Sequence, residues 1–262
     1  MIVANVHRRT FYQLIRIALD TLGVRPLAAE LGVFKGDNAQ DILDALDPKQ
    51  MFLLDTWSAD DFTNAYSPFD TIPAWMDPPS AQYAYYEGDA STPEHWESVH
   101  RQVCERFSAD QRVTVHRAPA AGLLEFLTRE LRQDKADFVY IDASHQYEYV
   151  FRDLMWYSQT VGNEGIIQMN DCCLSGPGIR QNLGVLEATA RFIKMSDWLP
   201  VLLNTTDFSD LILARRNSKM FVALTEIALR ANFDCIEIPH YLLGNARLVR
   251  QPGSNKTVLS FA

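Results

Sequence analysis

The feature that most restricts the fold of this chain is an alternation of short apolar runs with amphipathic helical patterns. Runs of strand length are followed by stretches in which apolar residues recur at helical spacing. This order is typical of a parallel sheet covered by helices on both faces, so we predict a Rossmann-like, doubly wound α/β fold. The predicted strands contain LAAEL, MFLLD, RVTVHR, ADFVYID and GIIQMND, and the predicted helices cover 37–46, 119–132 and 146–160.

Two later apolar runs, WLPVLLN and DFSDLILARR, are separated by only a few residues. A crossover between parallel strands needs a dozen or more residues, so we expect these runs to form an antiparallel pair at the sheet edge. We treat residues 1–262 as one domain with three additions. They are an N-terminal helix within 1–24, an aromatic, proline-rich insertion at 58–95 that is either a lid or a subunit contact, and a C-terminal appendage at 218–262.

The charge and composition argue against several classes of function. Lysine and arginine total 24 against 33 aspartates and glutamates, and the formal net charge of −9 disfavours binding to nucleic acid or to an anionic membrane. The four cysteines show neither disulfide nor zinc-site spacing, and runs of about 18 uncharged apolar residues do not occur. We therefore expect a cytoplasmic protein that acts on a small molecule. The sequence leaves open whether it forms a homo-oligomer.

The first predicted strand leads into the glycine turn ELGVFKG. Ligands of parallel sheets bind outside the carboxyl ends of the strands, so this turn is the first candidate site. Gly32 would let the backbone approach a ligand, and Gly36 would open the next helix with its unpaired N–H groups. Glu30 would repel a pyrophosphate but attract a cationic ligand. The turn also lacks the third glycine of a dinucleotide fingerprint, which disfavours a nicotinamide dehydrogenase.

The second predicted strand ends in Asp55, which lies about 20 residues beyond the glycine turn. An acidic side chain at this place accepts hydrogen bonds from the hydroxyls of a ribose. A cationic ligand that contains a ribose fits S-adenosylmethionine. Each signal also has a simpler explanation, because the turn could serve only close packing and Asp55 could cap a helix.

Four stretches in this order, ELGVFKG, FLLDTW, FVYIDASHQYE and GIIQMNDC, resemble the class I S-adenosylmethionine-dependent methyltransferases. The resemblance covers residues 26–214, and its last two stretches look most like the branch that includes macrocin O-methyltransferase. It implies a seven-stranded sheet of order 3-2-1-4-5-7-6 with the last strand antiparallel. It also implies that the cofactor contacts Glu30, Gly32, Gly36, Asp55, Thr56, Trp57, Ala118 and Asp142. For Trp57, a place in the core is an equal alternative.

The ends of two later strands supply a set of oxygen ligands, in DASHQYE and QMND. In the metal-dependent O-methyltransferases that this chain resembles, three such side chains bind a divalent cation. Asp142, Asn170 and Asp171 match these ligands. Mg²⁺ is the expected metal, because it prefers oxygen ligands and keeps several of its waters.

His145 is the candidate catalytic base, with Asp142 beside it, because an unperturbed imidazole titrates close to neutral pH. Some macrocin-type enzymes that this chain resembles carry an aspartate base where Ser144 stands here. A serine cannot take that role unaided. The alternative for His145 is a structural role in orienting the following helix.

These residues lead to one main hypothesis. The chain is expected to be an S-adenosylmethionine-dependent O-methyltransferase that methylates a hydroxyl of a sugar, polyketide or phenolic molecule with help from Mg²⁺. The alternatives are a metal-free or N-methyltransferase and a non-catalytic S-adenosylmethionine-binding module. The acceptor is not identified by the sequence, because acceptor specificity is assigned to the insertion at 58–95.

Overall fold

The computed structural model describes residues 1–64, 78–132, 134–173, 184–206, 208–254 and 257–261. Nine of the strands in these residues form one sheet. They are β1 (Ile2–Ala4), β2 (Leu27–Leu31), β3 (Gln50–Asp55), β4 (Val113–Arg117), β5 (Ala136–Ile141), β6 (Val161–Met169), β7 (Trp198–Asn204), β8 (Leu211–Arg215) and β9 (Cys235–Glu237). Two further strands, β10 (Arg247–Arg250) and β11 (Thr257–Ser260), pair with each other.

The helices connect and cover the sheet. They are α1 (Arg8–Leu22), α2 (Asp37–Leu46), α3 (Ala59–Asn64), α4 (Pro79–Tyr86), α5 (Pro93–Phe107), α6 (Ala120–Leu131), α7 (Tyr147–Tyr157), α8 (Val185–Met195), α9 (Lys219–Arg230) and a 3₁₀ helix (His240–Asn245). The three helices predicted between strands are confirmed to within three residues at each end. Helix α5 was not predicted, although its buried side chains, Trp96, Val99, Val103 and Phe107, lie at helical spacing.

The strand order is β4-β3-β2-β5-β6-β8-β7-β1-β9. Its first seven members reproduce the predicted order, and β8 runs antiparallel to both β6 and β7. The predicted hairpin does not lie at the edge, however. β1 pairs with β7 in parallel, and β9 pairs with β1 in the antiparallel direction, so the sheet has two strands more than predicted.

Both faces of the sheet are covered, as the alternation of strands and helices predicts. Phe138 and Tyr140 of β5 contribute to a core under α1, α2, α5 and α9. Val139 and Ile141 point to the opposite face and contribute to a core under α6, α7 and α8. Within the described ranges, no helix is long and apolar enough to cross a bilayer.

Four neighbouring strands end in one row, and backbone hydrogen bonds extend the ladder beyond them. Gly32 N donates to Leu54 O at 3.0 Å, and Asp142 N donates to Leu31 O at 2.9 Å. Asn170 N donates to Ile141 O at 3.1 Å. The glycine turn and the polar ends of β3, β5 and β6 are therefore adjacent.

Gly32 is required by the neighbouring strand. A Cβ atom on it would lie 2.0 Å from Asp142 O, and its φ is +83°. The sequence assigned the close approach at Gly32 to a ligand; in the structure the approaching group is the backbone of Asp142. The end of β5 thus fixes the position of the turn.

We expect Gly32→Ala to lower the free energy of unfolding by at least about 3 kcal/mol, because backbone strain and an unrelieved clash add. Gly23→Ala is the matched control, since Gly23 has φ of +69° but no heavy atom within 4 Å of the added Cβ. The control should lose only about 1–2 kcal/mol. Urea unfolding of the three proteins measures both, and equal losses would contradict the packing argument.

Candidate active site

A cavity of about 1250 Å³ opens at the row of strand ends. Its walls include most of the residues that the sequence predicted as a site. These are Glu30, Gly32, Asp55, Thr56, Asp142, His145, Asn170 and Asp171. The predicted cofactor residues and the predicted metal and base residues therefore share one space.

Asp55 organises the glycine turn. Its Oδ2 accepts hydrogen bonds from Val33 N at 2.7 Å and Phe34 N at 3.0 Å, and its Oδ1 accepts one from Trp57 N at 2.8 Å. Burial raises the pKa of this carboxyl, and the backbone N–H bonds oppose that rise. Phe34 can take its φ of +50° because the carboxylate fixes the turn around it.

Glu30 lies below the turn and is 1% exposed. Its Oε1 accepts a hydrogen bond from Asn38 Nδ2 at 2.9 Å, whereas its Oε2 is buried and has no partner among the described residues. Burial raises the pKa of Glu30 to about 8. A cation that reached this carboxyl would favour its charged form and would supply the missing partner.

Three predicted cofactor contacts are placed differently by the structure. The Trp57 indole is fully buried, its Nε1 donates to Phe34 O at 2.9 Å, and its ring packs on His100. Gly36 is the N-cap of α2 with φ of +79°, and a Cβ there would meet the Phe107 ring at 2.6 Å. Trp57, Gly36 and Ala118 do not line the cavity.

Two acidic groups and a histidine form a compact cluster at the ends of β5 and β6. His145 Nε2 lies 3.4 Å from Asp142 Oδ1 and 3.1 Å from Asp171 Oδ2. One potential ligand atom from each of the three lies within 4.8 Å of the others. Burial raises the pKa of Asp171 to about 6, although the neighbouring His145 opposes the shift.

Asn170 also borders the cavity, but its amide nitrogen points away from this cluster. Nδ2 donates to Asp210 Oδ1 at 3.1 Å and to Phe208 O at 3.3 Å. The predicted metal set of Asp142, Asn170 and Asp171 is thus brought together in part, and the structure adds His145 to it.

The sequence did not indicate Arg8, Asn38 or Asp210 as site residues, yet all three line the cavity. Asp210 is fully buried and accepts a hydrogen bond from Tyr140 Oη at 3.0 Å. Arg8 Nε donates to its other oxygen at 3.1 Å. These residues belong to separate segments, so no local spacing could have shown that they meet.

Part of the insertion at 58–95 also contributes to the cavity wall. The Tyr85 ring of α4 stacks on Phe34 with centroids 5.7 Å apart, and Tyr86 meets the same ring edge-on at 5.2 Å. Phe62, Tyr85 and Tyr86 line the cavity. Residues 65–77, the middle of the predicted lid, lie outside the described residues.

Comparisons with known proteins agree with this arrangement. A family model described as "Methyltransferase domain" matches residues 29–172, which is more than half of the chain. No curated protein matches the sequence.

Several solved structures of low sequence identity are similar to this chain. The calicheamicin methyltransferase is 15% identical, with 80% of this chain and 79% of that chain covered and a TM-score of 0.50. An O-methyltransferase from Bacillus cereus in complex with SAH is 14% identical, with 81% of this chain and 83% of that chain covered and a TM-score of 0.49. An O-methyltransferase from Streptomyces achromogenes, involved in tomaymycin synthesis and in complex with SAM, is 13% identical, with 79% of each chain covered and a TM-score of 0.47.

The fold likeness by itself does not assign an activity. The family match does more, because the matched residues include the glycine turn, Asp55 and the cluster at the ends of β5 and β6. The chain therefore belongs to this methyltransferase family and is an S-adenosylmethionine-dependent methyltransferase.

Proposed function

We propose that this enzyme transfers the methyl group of S-adenosylmethionine to a hydroxyl of a small molecule, either a sugar, a polyketide or a phenolic. The observation that carries the proposal is the position of the Asp142, His145 and Asp171 cluster in the same cavity as Glu30 and the glycine turn. Groups that can take up a proton thus lie beside the groups that would hold the methyl donor. The resemblance to the macrocin O-methyltransferase branch supports the same reaction.

Glu30 and Asp55 would divide the recognition of the cofactor. The buried Oε2 of Glu30 suits the α-ammonium group, because a charge-assisted bond satisfies an atom that has no described partner. Asp55 suits the ribose hydroxyls, because it ends β3 at the cavity wall and a carboxylate accepts hydrogen bonds from hydroxyl groups. Thr56 lies next to it on the cavity wall.

The transfer itself requires alignment and removal of one proton. The acceptor oxygen forms a bond to the methyl carbon while the carbon–sulfur bond breaks, and its electron pair stays on sulfur to give S-adenosylhomocysteine. The hydroxyl proton needs an acceptor, and we assign this role to His145. Asp171, 3.1 Å from His145 Nε2, would stabilise the imidazolium that forms.

The cluster also fits a divalent cation such as Mg²⁺. Two carboxylates and an imidazole present their ligand atoms within 4.8 Å of one another, and Asn170 is adjacent. We propose that Asp142 and Asp171 bind the metal, with Asn170 or His145 as the third ligand. A bound cation lowers the pKa of a coordinated hydroxyl and stabilises the oxyanion. If His145 is a ligand, it is not the base.

Cofactor affinity should depend on pH through Glu30. The pKa of Glu30 is raised to about 8, so binding of an ammonium group below pH 8 must displace a proton. We expect the affinity for S-adenosylmethionine to rise between pH 6.5 and 8 by up to about tenfold per pH unit. Glu30→Gln should abolish this slope. Calorimetric titration measures it, with the exposed Glu148→Gln as control; equal slopes in all three proteins would refute the role of Glu30.

Turnover tests the reaction class. Incubation with S-adenosylmethionine and a panel of sugar, polyketide and phenolic acceptors should yield S-adenosylhomocysteine and a methyl ether. His145→Ala should lower kcat by about 10²- to 10⁴-fold with cofactor affinity nearly unchanged, because loss of a general base affects the chemical step. Methylation of amines but not of hydroxyls would instead identify an N-methyltransferase.

A chelator tests the metal. We expect removal of divalent cations to stop turnover and added Mg²⁺ to restore it. If Asn170 is the third ligand, Asn170→Ala should raise the Mg²⁺ concentration needed for half-maximal activity by about 10- to 100-fold, and His145→Ala should leave that concentration unchanged. The reverse result would make His145 the ligand. Full activity in the chelator would establish the metal-free alternative.

A further inference from the structure

Arg8 enters the cavity from a part of the chain that precedes the matched methyltransferase domain at 29–172. Strand β1 fixes this segment, since Ile2, Val3 and Ala4 pair with β7. Helix α1 then begins at Arg8 itself. The side chain is 23% exposed and points to the wall that also contains Glu30 and Asp142.

The Arg8 guanidinium is held in one orientation. Its Nε donates to Asp210 Oδ2 at 3.1 Å, and its central carbon lies 5.5 Å from the centre of the Tyr140 ring. Asp210 is itself fixed, because Tyr140 Oη and Asn170 Nδ2 both donate to its Oδ1. Asp210 Oδ2 therefore binds the guanidinium only through Nε, and the Nη1 and Nη2 groups do not bond to Asp210.

The other edge of the guanidinium, at Nη1, connects to Glu30 through Asn38. Arg8 Nη1 donates to Asn38 Oδ1 at 3.4 Å, and Asn38 Nδ2 donates to Glu30 at 2.9 Å. Asn38 thus connects the arginine with the buried carboxyl. Among the residues that the structure describes, no acceptor takes a hydrogen bond from Arg8 Nη2.

Other arginines and lysines around the cavity pair with carboxylates, as Arg8 does with Asp210. Arg9 makes a two-bond pair with Asp41, with both distances 2.8 Å, and its side chain is 68% exposed. Lys35 pairs with Glu87, and Arg152 pairs with Asp153. Of these arginines and lysines, Arg8 is half-buried, is linked to Glu30 through Asn38, and has an uncommitted Nη2 group.

The cavity is lined by several carboxylates, so the positive charge of Arg8 affects whether an anionic group can bind there. Asp142, Asp171 and Asp210 would repel an anionic group, and S-adenosylmethionine carries a carboxylate two bonds from its ammonium nitrogen. We propose that Arg8 binds the α-carboxylate of S-adenosylmethionine while Glu30 binds the α-ammonium group. Arg8 and Glu30, joined by Asn38, then recognise the amino-acid end of the cofactor. This assignment rests on the proposed function.

A purely structural role is the competing explanation, because Arg8 also neutralises the buried Asp210. The two roles differ in their response to a ligand that lacks only the carboxylate. Decarboxylated S-adenosylmethionine retains the sulfonium, the ribose, the adenine and an amine. A residue that binds the carboxylate affects S-adenosylmethionine alone, whereas a structural residue affects both ligands equally.

The experiment is a calorimetric titration of both ligands into wild type, Arg8→Gln and Arg16→Gln. Arg16 lies on the same helix, outside the cavity, and pairs with Asp20. We expect Arg8→Gln to weaken S-adenosylmethionine binding by about 10- to 100-fold, as for loss of a charged hydrogen bond, and to weaken binding of the decarboxylated ligand by less than about threefold. Arg16→Gln should bind both ligands like wild type.

Loss of Arg8 leaves the buried Asp210 without its cation, which could unfold the variant. The double variant Arg8→Gln with Asp210→Asn removes that charge while Asn keeps a carbonyl oxygen for Tyr140. Recovered thermal stability together with the same selective loss for S-adenosylmethionine supports the proposal. Equal losses for both ligands, in either folded variant, overturn it. If the wild-type protein binds neither ligand, the proposed function is wrong, and the assignment of Arg8 to the α-carboxylate is wrong with it.

Discussion

The contact between the ends of β2 and β5 is the constraint on which the site depends. Asp142 N donates to Leu31 O, and the Asp142 carbonyl approaches Gly32 so closely that no side chain fits between them. This contact sets the distance between the glycine turn and the first acidic strand end. Asn170 follows in the ladder through its bond to Ile141 O. The glycine turn and the polar ends of β5 and β6 are therefore positioned by backbone geometry, which side-chain motion does not change.

The cavity also contains several buried carboxyl groups. Glu30, Asp55, Asp171 and Asp210 are carboxyl groups whose pKa values are raised by burial. Burial of several carboxyl groups in one cavity is unfavourable unless protons, hydrogen bonds or cations compensate. Backbone N–H groups compensate at Asp55, and Arg8 compensates at Asp210. At Glu30, Oε2 has no partner among the described residues, so a cation beside it would favour the charged form of the carboxyl.

Much of the fold could be predicted because the decisive patterns are local. Short apolar runs identified the strands, helical spacing identified the helices between them, and the positions of Asp55, Asp142 and Asp171 followed from the predicted strand ends. β1 has three residues and no periodicity to detect. Helix α5 has helical spacing but follows a proline-rich stretch, which obscured its beginning. For Trp57, position after a strand does not determine direction: its φ of +38° turns the indole into the core, where Phe34 O accepts its hydrogen bond.

The unpredicted residues share a physical reason, since each acts through a partner that is remote in sequence. Arg8 meets Asp210 across 202 positions, and it meets Asn38 across 30. What brings them together is the pairing of β1 with β7, because it places the start of α1 over the carboxyl ends of the central strands. The additional strand β1 thus determines that Arg8 lines the cavity at the ends of the central strands. One wall of the cavity is formed by charged strand ends and Arg8, and another by Phe62, Tyr85 and Tyr86. Polar and aromatic side chains therefore meet in one cavity, because β1 carries α1 to the strand ends and α4 packs Tyr85 and Tyr86 against Phe34.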